Sequence, residues 1–146
     1  MSATHDMRVL VTGVDGQGRS CVVGDDRVPL TAIDGGVWFG SLFETATAPP
    51  VPLRHGEAPH LEVALAPGLA RWQVIDYPPG QTYPMHHTDT IDFDIVLAGS
   101  IELTLDDGVH VLETGDGVVV NGVDHAWAAG PDGARLSVMF IGTRPR

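Results

Sequence analysis

Three histidines stand where imidazole chemistry is within reach. His86 and His87 lie in Pro84-Met85-His86-His87-Thr88-Asp89-Thr90-Ile91-Asp92, and His125 ends Gly122-Val123-Asp124-His125. Imidazole changes charge near neutral pH and ligates divalent metals, so each can serve as a general base or a metal ligand. On an extended segment side chains alternate, so residues 86 and 88 share one face and His87 takes the other. A carboxylate, Asp92, follows in the same run. The remaining histidines read as surface groups: His5 at the N-terminus, His55 and His60 in a Pro-rich segment, and His110 beside the Asp107-Gly108 hairpin.

The elements that position these residues read as strands. Eighteen Gly and eleven Pro in 146 residues leave few windows for a helix, because each is costly inside one. The apolar runs are short and β-branched, and Ser100-Ile101-Glu102-Leu103-Thr104-Leu105 alternates with the period of a half-buried strand. Asp106-Asp107-Gly108 and Asp15-Gly16-Gln17-Gly18 supply turn chemistry between such runs. The fold class is therefore all-β, a sandwich or barrel. Residues 45–60, with four prolines, form an arm or loop laid along it, and residues 41–48 form one helical turn or two. One domain spans 1–146: residues 1–68 contribute N-terminal strands and the arm, and residues 69–142 the barrel core.

Composition removes several function classes. The net charge of -11 argues against nucleic acid or an anionic membrane as partner. All eight basic residues are Arg, so lysine Schiff-base chemistry, PLP included, is excluded. The lone Cys21 reads as a half-buried small hydrophobe and cannot build a disulfide or a thiolate cage by itself. No Walker loop, no G-x-G-x-x-G before a helix and no G-x-S-x-G elbow is present, so no nucleotide cofactor is expected. No run approaches the ~20 apolar residues of a membrane span, and no signal-peptide pattern opens the chain. The expectation is a cytoplasmic protein.

The spacing of Gly80, His86, Thr88, Asp92 and Gly99 resembles the first motif of the cupins, G-x5-H-x-H-x3,4-E-x6-G, and Gly122 with His125 resembles the end of their second, G-x-x-H. The likeness covers roughly residues 70 to 142, and 86–92 with His125-Ala126-Trp127 is similar to a bacterial and fungal group of small single-domain cupins. It implies a double-stranded β-helix (jelly-roll) barrel with extra N-terminal strands, its pocket lined by His86, Thr88, Asp92 and His125. Two departures matter. Thr88 stands where a second histidine is usual, and Asp92 replaces Glu, one methylene shorter.

The resemblance leaves three chemistries open. His86, Asp92 and His125 have the composition of a two-histidine, one-carboxylate site for one divalent metal (Fe, Mn or Zn), which polarises substrate or activates water or oxygen, as in a dioxygenase. Without metal, a histidine oriented by Asp92 acts as general base, abstracting a proton beside a carbonyl before loss of water or ring closure. The third possibility is a non-catalytic ligand-binding barrel. The leading expectation is a lyase or isomerase (dehydration, isomerisation or cyclisation) for a hydrophobic or carbonyl-containing metabolite, with catalytic His86, His125 and Asp92.

Around the pocket, Thr88, Trp127, Tyr83, Arg71 and Asp94 are the expected substrate contacts. Trp127 shares a face with His125 and either stacks on substrate or fills the core. Arg71 either receives a substrate carboxylate bidentately or stays solvated. Asp94 shares parity with Asp92 and lines the pocket or pairs with Arg71. Trp38, Phe39 and Phe43 cover the barrel or a dimer interface. The expected partners are a small-molecule substrate and a second copy, in a homodimer paired through edge strands.

Overall fold

A computed structural model describes residues 6–33, 37–53 and 56–145, and contains strands and no helix among them. The strands are β1 (Asp6–Val14), β2 (Ser20–Pro29), β3 (Thr31–Ile33), β4 (Val37–Phe39), β5 (Ala70–Tyr77), β6 (Thr82–His86), β7 (Thr90–Leu105), β8 (Gly108–Glu113), β9 (Gly117–Val120) and β10 (His125–Gly142). Eight of them form one sheet, ordered β2-β1-β9-β7-β10-β5, with β6 paired to β10 and β8 to β7. The small β3-β4 pair stands apart. The all-β jelly-roll expectation holds.

The two long strands β7 and β10 run antiparallel and make the frame. Each serves both halves of the barrel by inverting its inward face midway. On β7, Thr90, Asp92, Asp94 and Val96 are buried in the first half, and Ile101, Leu103 and Leu105 in the second. On β10, His125, Trp127 and Ala129 give way to Ala134, Leu136 and Val138. A strand with strict alternation cannot change parity without an irregularity. The register shifts are found between Ala129 and Ala134 and between Arg135 and Leu136. Opposite them stands Gly99, at φ 75°, where a Cβ would collide with the carbonyl oxygen of Gly133. The glycine separated from Asp92 by six residues is thus the corner of the barrel.

The N-terminal strands extend this sheet. β1 pairs antiparallel with β2 and parallel with β9, and Leu10 is fully buried in the main apolar core with Ile101, Leu103, Leu112 and Leu136. Thr12 and Asn121 lock β1 to the end of β9 through Thr12 Oγ1 to Val119 O (2.8 Å) and Asn121 Nδ2 to Thr12 O (2.6 Å). Both expected turns form. Asp106 and Asp107 join β7 to β8 with Leu105 opposite Gly108, and Asp15 Oδ1 accepts the N–H groups of Gln17 and Arg19 between β1 and β2.

Residues 41–48 contain no helical turn. Leu42 and Phe43 pack instead against Phe93 and the Val9, Ile91 and Val119 cluster, with the Phe43 and Phe93 rings 5.6 Å apart. β-branched Thr45 and Thr47 and the prolines beyond them oppose a helix as well. Trp38 and Phe39 remain substantially exposed, and Cys21 is half-buried with its thiol pushed up by burial. The surface readings of His5 and His55 fall outside the described residues.

Candidate active site

His86 ends β6 and His125 begins β10, and the two are direct partners across that ladder. Their rings lie 4.3 Å apart at 53°. Each Nδ1 is 2.8 Å from the backbone carbonyl two residues earlier, Pro84 O for His86 and Val123 O for His125. A carbonyl oxygen only accepts, so both Nδ1 atoms carry the proton and both Nε2 atoms are bare acceptors. Burial favours the neutral rings. It lowers the pKa of His86, and it lowers that of His125 to about 4, helped by the neighbouring His86.

The carboxyl groups come from the first half of β7. Asp92 lies between Phe140 of β10 and Val120 of β9, and Asp94 between Val138 and Val118. Flanked by apolar neighbours, a carboxylate loses hydration without gaining a cation, so its neutral form is favoured. Burial raises Asp92 to about 7, opposed by the Thr90 hydroxyl, which donates to Asp92 Oδ1 at 2.6 Å. Burial and the adjacent Asp92 raise Asp94 well above the usual carboxylate range. Thr88 Oγ1, at the position of the missing histidine, is 2.8 Å from Thr90 Oγ1 and so extends a hydroxyl chain to Asp92.

These groups share a cavity of about 310 Å³, at the small end of ligand-binding pockets. His86, His125, Asp92, Asp94, Thr88, Tyr83 and Trp127 all line it. Tyr83 meets the His86 ring edge-on at 4.9 Å, and Trp127 meets that of His125 at 5.7 Å. The cavity thus gathers seven of the eight expected site residues.

Arg71 is the exception. It pairs with Phe140 in register, yet its guanidinium donates to Val63 O at 3.1 Å and it does not line the cavity. Asp94 does not pair with it. Arg71 sits on the far edge strand, where its guanidinium is taken by the backbone of Val63.

The expected metal set is not assembled either. Among the described residues, no three His, Cys, Asp or Glu side chains meet in an arrangement able to hold a metal ion. Asp92 spends Oδ1 on Thr90 and stands beside Asp94, while His86 and His125 pair with each other.

Several lining residues carry no signal in the sequence. Tyr77 reaches the cavity from β5 with Gln73 and Ile75, and Leu136, Val138 and Phe140 come from β10. Burial, with Asp94 beside it, raises the Tyr77 phenol to about 12. Alternation along β5 and β10 names the face, but only the pairing of β5 to β10 and of β10 to β7 says which face meets the carboxyls. Leu61 and Val63 complete the wall from the Pro-rich arm. The arm is pinned by Leu61 N to His87 O (2.8 Å) and His87 N to Pro59 O (3.2 Å). Asp124 Oδ2 accepts Glu57 N and Ala58 N at 2.6 and 2.9 Å, while Oδ1 meets His87 Nδ1 at 3.0 Å. His60 Nε2 reaches Asp89 at 3.1 Å. His87 and His60 therefore hold the arm.

The family profile described as Cupin domain matches residues 73–142, the span that supplies every cavity-lining side chain except those of Leu61 and Val63. Residues 73–142 are a cupin domain. The resemblance drawn from the motif glycines and histidines is sound, and the cupin barrel is continuous with the N-terminal strands in one sheet. Over 110 residues the chain is 31% identical to Phomopsin biosynthesis cluster protein C' of Diaporthe leptostromiformis, covering 70% of this chain and 58% of that protein. It is 36% identical over 64 residues to Oryzines biosynthesis cluster protein J of Aspergillus oryzae, covering 43% and 36%. The chain thus spans 58% of the first of these curated relatives and 36% of the second. Among solved structures, the polyketide cyclase RemF of Streptomyces resistomycificus shares 23% identity over 53% of this chain and 57% of that one, with a TM-score of 0.47. No helix among the described residues is long and apolar enough to cross a membrane.

Proposed function

We propose that this cupin is a small-molecule lyase or isomerase that works by general acid–base chemistry on a hydrophobic, carbonyl-containing metabolite. The observation that carries the reading is the pairing of two neutral imidazoles, their Nε2 atoms bare, with two buried carboxyls in one apolar cavity. Bases and acids whose environments push their protonation apart are what proton transfer in both directions needs. His86, the more exposed of the two rings, takes a proton from the carbon beside the substrate carbonyl at Nε2. The Asp92 carboxyl, fed by the Thr90 and Thr88 hydroxyls, donates its proton to the carbonyl oxygen or to a departing hydroxyl, which leaves as water. The imidazolium then returns a proton to the carboxylate, and Trp127 and Tyr83 wall the substrate.

Two relatives named for biosynthesis clusters support small-molecule metabolism as the setting. A third, the cupin-domain-containing oxidoreductase srdD of Neurospora crassa, is 38% identical over 56 residues, 38% of this chain and 29% of that protein. A metal-dependent oxygenase has less support here, because Asp92 Oδ1 is taken by the Thr90 hydroxyl and, among the described residues, no group of three or more His, Cys, Asp or Glu is placed to hold a metal ion.

The test uses β-tetralone, an aromatic ketone, in heavy water. With protein dialysed against chelator, proton NMR is expected to show deuterium entering the carbon beside the carbonyl faster than in buffer and faster than with His86→Gln. Exchange no faster than buffer, or exchange restored only by added ferrous or manganous ion, overturns the reading.

A further inference from the structure

The cavity is unusual in the charge it offers a ligand. Its charged or chargeable lining among the described residues is acidic, phenolic or imidazole: Asp92, Asp94, Tyr77, Tyr83, His86 and His125, with no Arg. The chain has no Lys. The described arginines are engaged or placed elsewhere: Arg8 on Asp25 and Asp116, Arg27 on Asp6, Arg135 on Asp76, Arg19 on Asp106 O and Arg71 on Val63 O, while Arg144 is exposed and does not line the cavity. There is no helix among the described residues, hence no helix N-terminus to face an anion. Proteins meet carboxylates and phosphates with guanidinium, ammonium or helix N-termini, and this pocket brings none of them.

It does bring acceptors without partners. Asp94 is 5% exposed, lines the cavity, and its Oδ1 is buried with no hydrogen-bond partner among the described residues. An unmade hydrogen bond at a buried oxygen is costly, so a ligand group that supplies the donor gains what the empty site lacks. The His86 and His125 Nε2 atoms are acceptors too. Around them the wall is hydrocarbon and aromatic: Leu61, Val63, Ile75, Trp127, Val138 and Phe140.

We propose that the site selects an uncharged, flat, largely apolar ligand that presents a hydroxyl to Asp94, and that it rejects carboxylates and phosphates of the same shape. This deepens the acid–base reading by naming the substrate class, and it rests on that reading for the site's being catalytic. Asp94 then reads the substrate while Asp92 and His86 transform it. A phenolic or enolic ring compound meets the description. A charged acid would have to shed its hydration beside two carboxyls with no cation in return.

Three naphthalenes of one skeleton test it by titration against tryptophan fluorescence: β-naphthol, β-methoxynaphthalene and β-naphthoate. β-Naphthol is expected to bind about tenfold tighter than the methyl ether, the worth of one buried hydrogen bond. β-Naphthoate is expected to bind about 100-fold more weakly than β-naphthol. Asp94→Val should erase the advantage of naphthol over the ether and leave binding of the ether intact. β-Naphthoate binding as tightly as naphthol, or an advantage that survives Asp94→Val, overturns the proposal. Should that variant not fold, the ranking in the native protein still decides. Binding is read without turnover, so failure of the tetralone exchange leaves this ranking standing, and a reversed ranking leaves the exchange standing.

Discussion

The rings of His86 and His125 stand 4.3 Å apart because β6 and β10 place the two residues directly opposite each other in one ladder. Both rings are turned the same way by the same device, an Nδ1–H donated to the carbonyl two residues back. The pair is thus fixed in tautomer before any ligand arrives, with Nε2 left to react.

Removing either ring should therefore cost chemistry more than binding. His86→Gln is expected to slow tetralone exchange by about 100-fold or more, the usual worth of a general base. Titration with β-naphthol should show an affinity changed less than tenfold, on the order of one lost contact. Equal losses in both measurements would make His86 a binding residue.

Stability should respond to pH through two buried groups with opposite signs. Asp92 is raised from 3.8 to about 7 in the fold, so its contribution is present at low pH and is lost as pH rises through that interval. His125 is lowered from 6.5 to about 4, so its contribution is present above 6.5 and is lost as pH falls toward 4. Between about pH 4 and 6.5 the two slopes oppose each other. Urea unfolding should find that Asp92→Asn, relative to the native chain, gains stability as pH rises across this window, and that His125→Gln loses it. Each difference is at most about 1.4 kcal/mol per pH unit, one proton's worth. Parallel curves for all three proteins would contradict both assignments.

Asp124 is the carboxylate that takes the arm's backbone amides. Asp124 is 5% exposed and accepts from Glu57 N, Ala58 N and His87. Asp124→Ala leaves these donors unpaired, and about 2–3 kcal/mol of stability should go with them. Hydrogen exchange should show the amides of Glu57, Ala58 and Leu61 losing protection while those of β7 and β10 keep theirs. Uniform loss of protection would mean that the arm and barrel open together.

Gly99 should tolerate no side chain. Its φ of 75° disfavours an L residue, and a methyl there meets the carbonyl of Gly133. Gly99→Ala should cost several kcal/mol, about 3 or more. Thermal unfolding checks this against Gly16→Ala, where a Cβ meets nothing within 4 Å and φ is ordinary.

Much of the architecture can be read locally. Alternation in 100–105, the Asp106-Asp107-Gly108 turn and the glycine-bounded histidines are short-range features, because strand period and turn conformation depend on adjacent residues. They sufficed for an all-β barrel, for the inward parity of His86, Thr88, Asp92 and Asp94, and for Trp127 beside His125. The partnership of those groups is a matter of register between distant strands. Whether Asp92 joins the imidazoles or Asp94 depends on where β7 lies against β6, β9 and β10, and no residue near Asp92 encodes that. Arg71 had the right parity, and the carbonyl of Val63 took its guanidinium. Tyr77, Leu61 and Val63 became pocket walls through pairing and through an arm tied down by His87 and Asp124. Local chemistry thus selected the candidate groups and the folded sheet chose their neighbours, since contact between residues far apart in the chain exists only after the strands have paired.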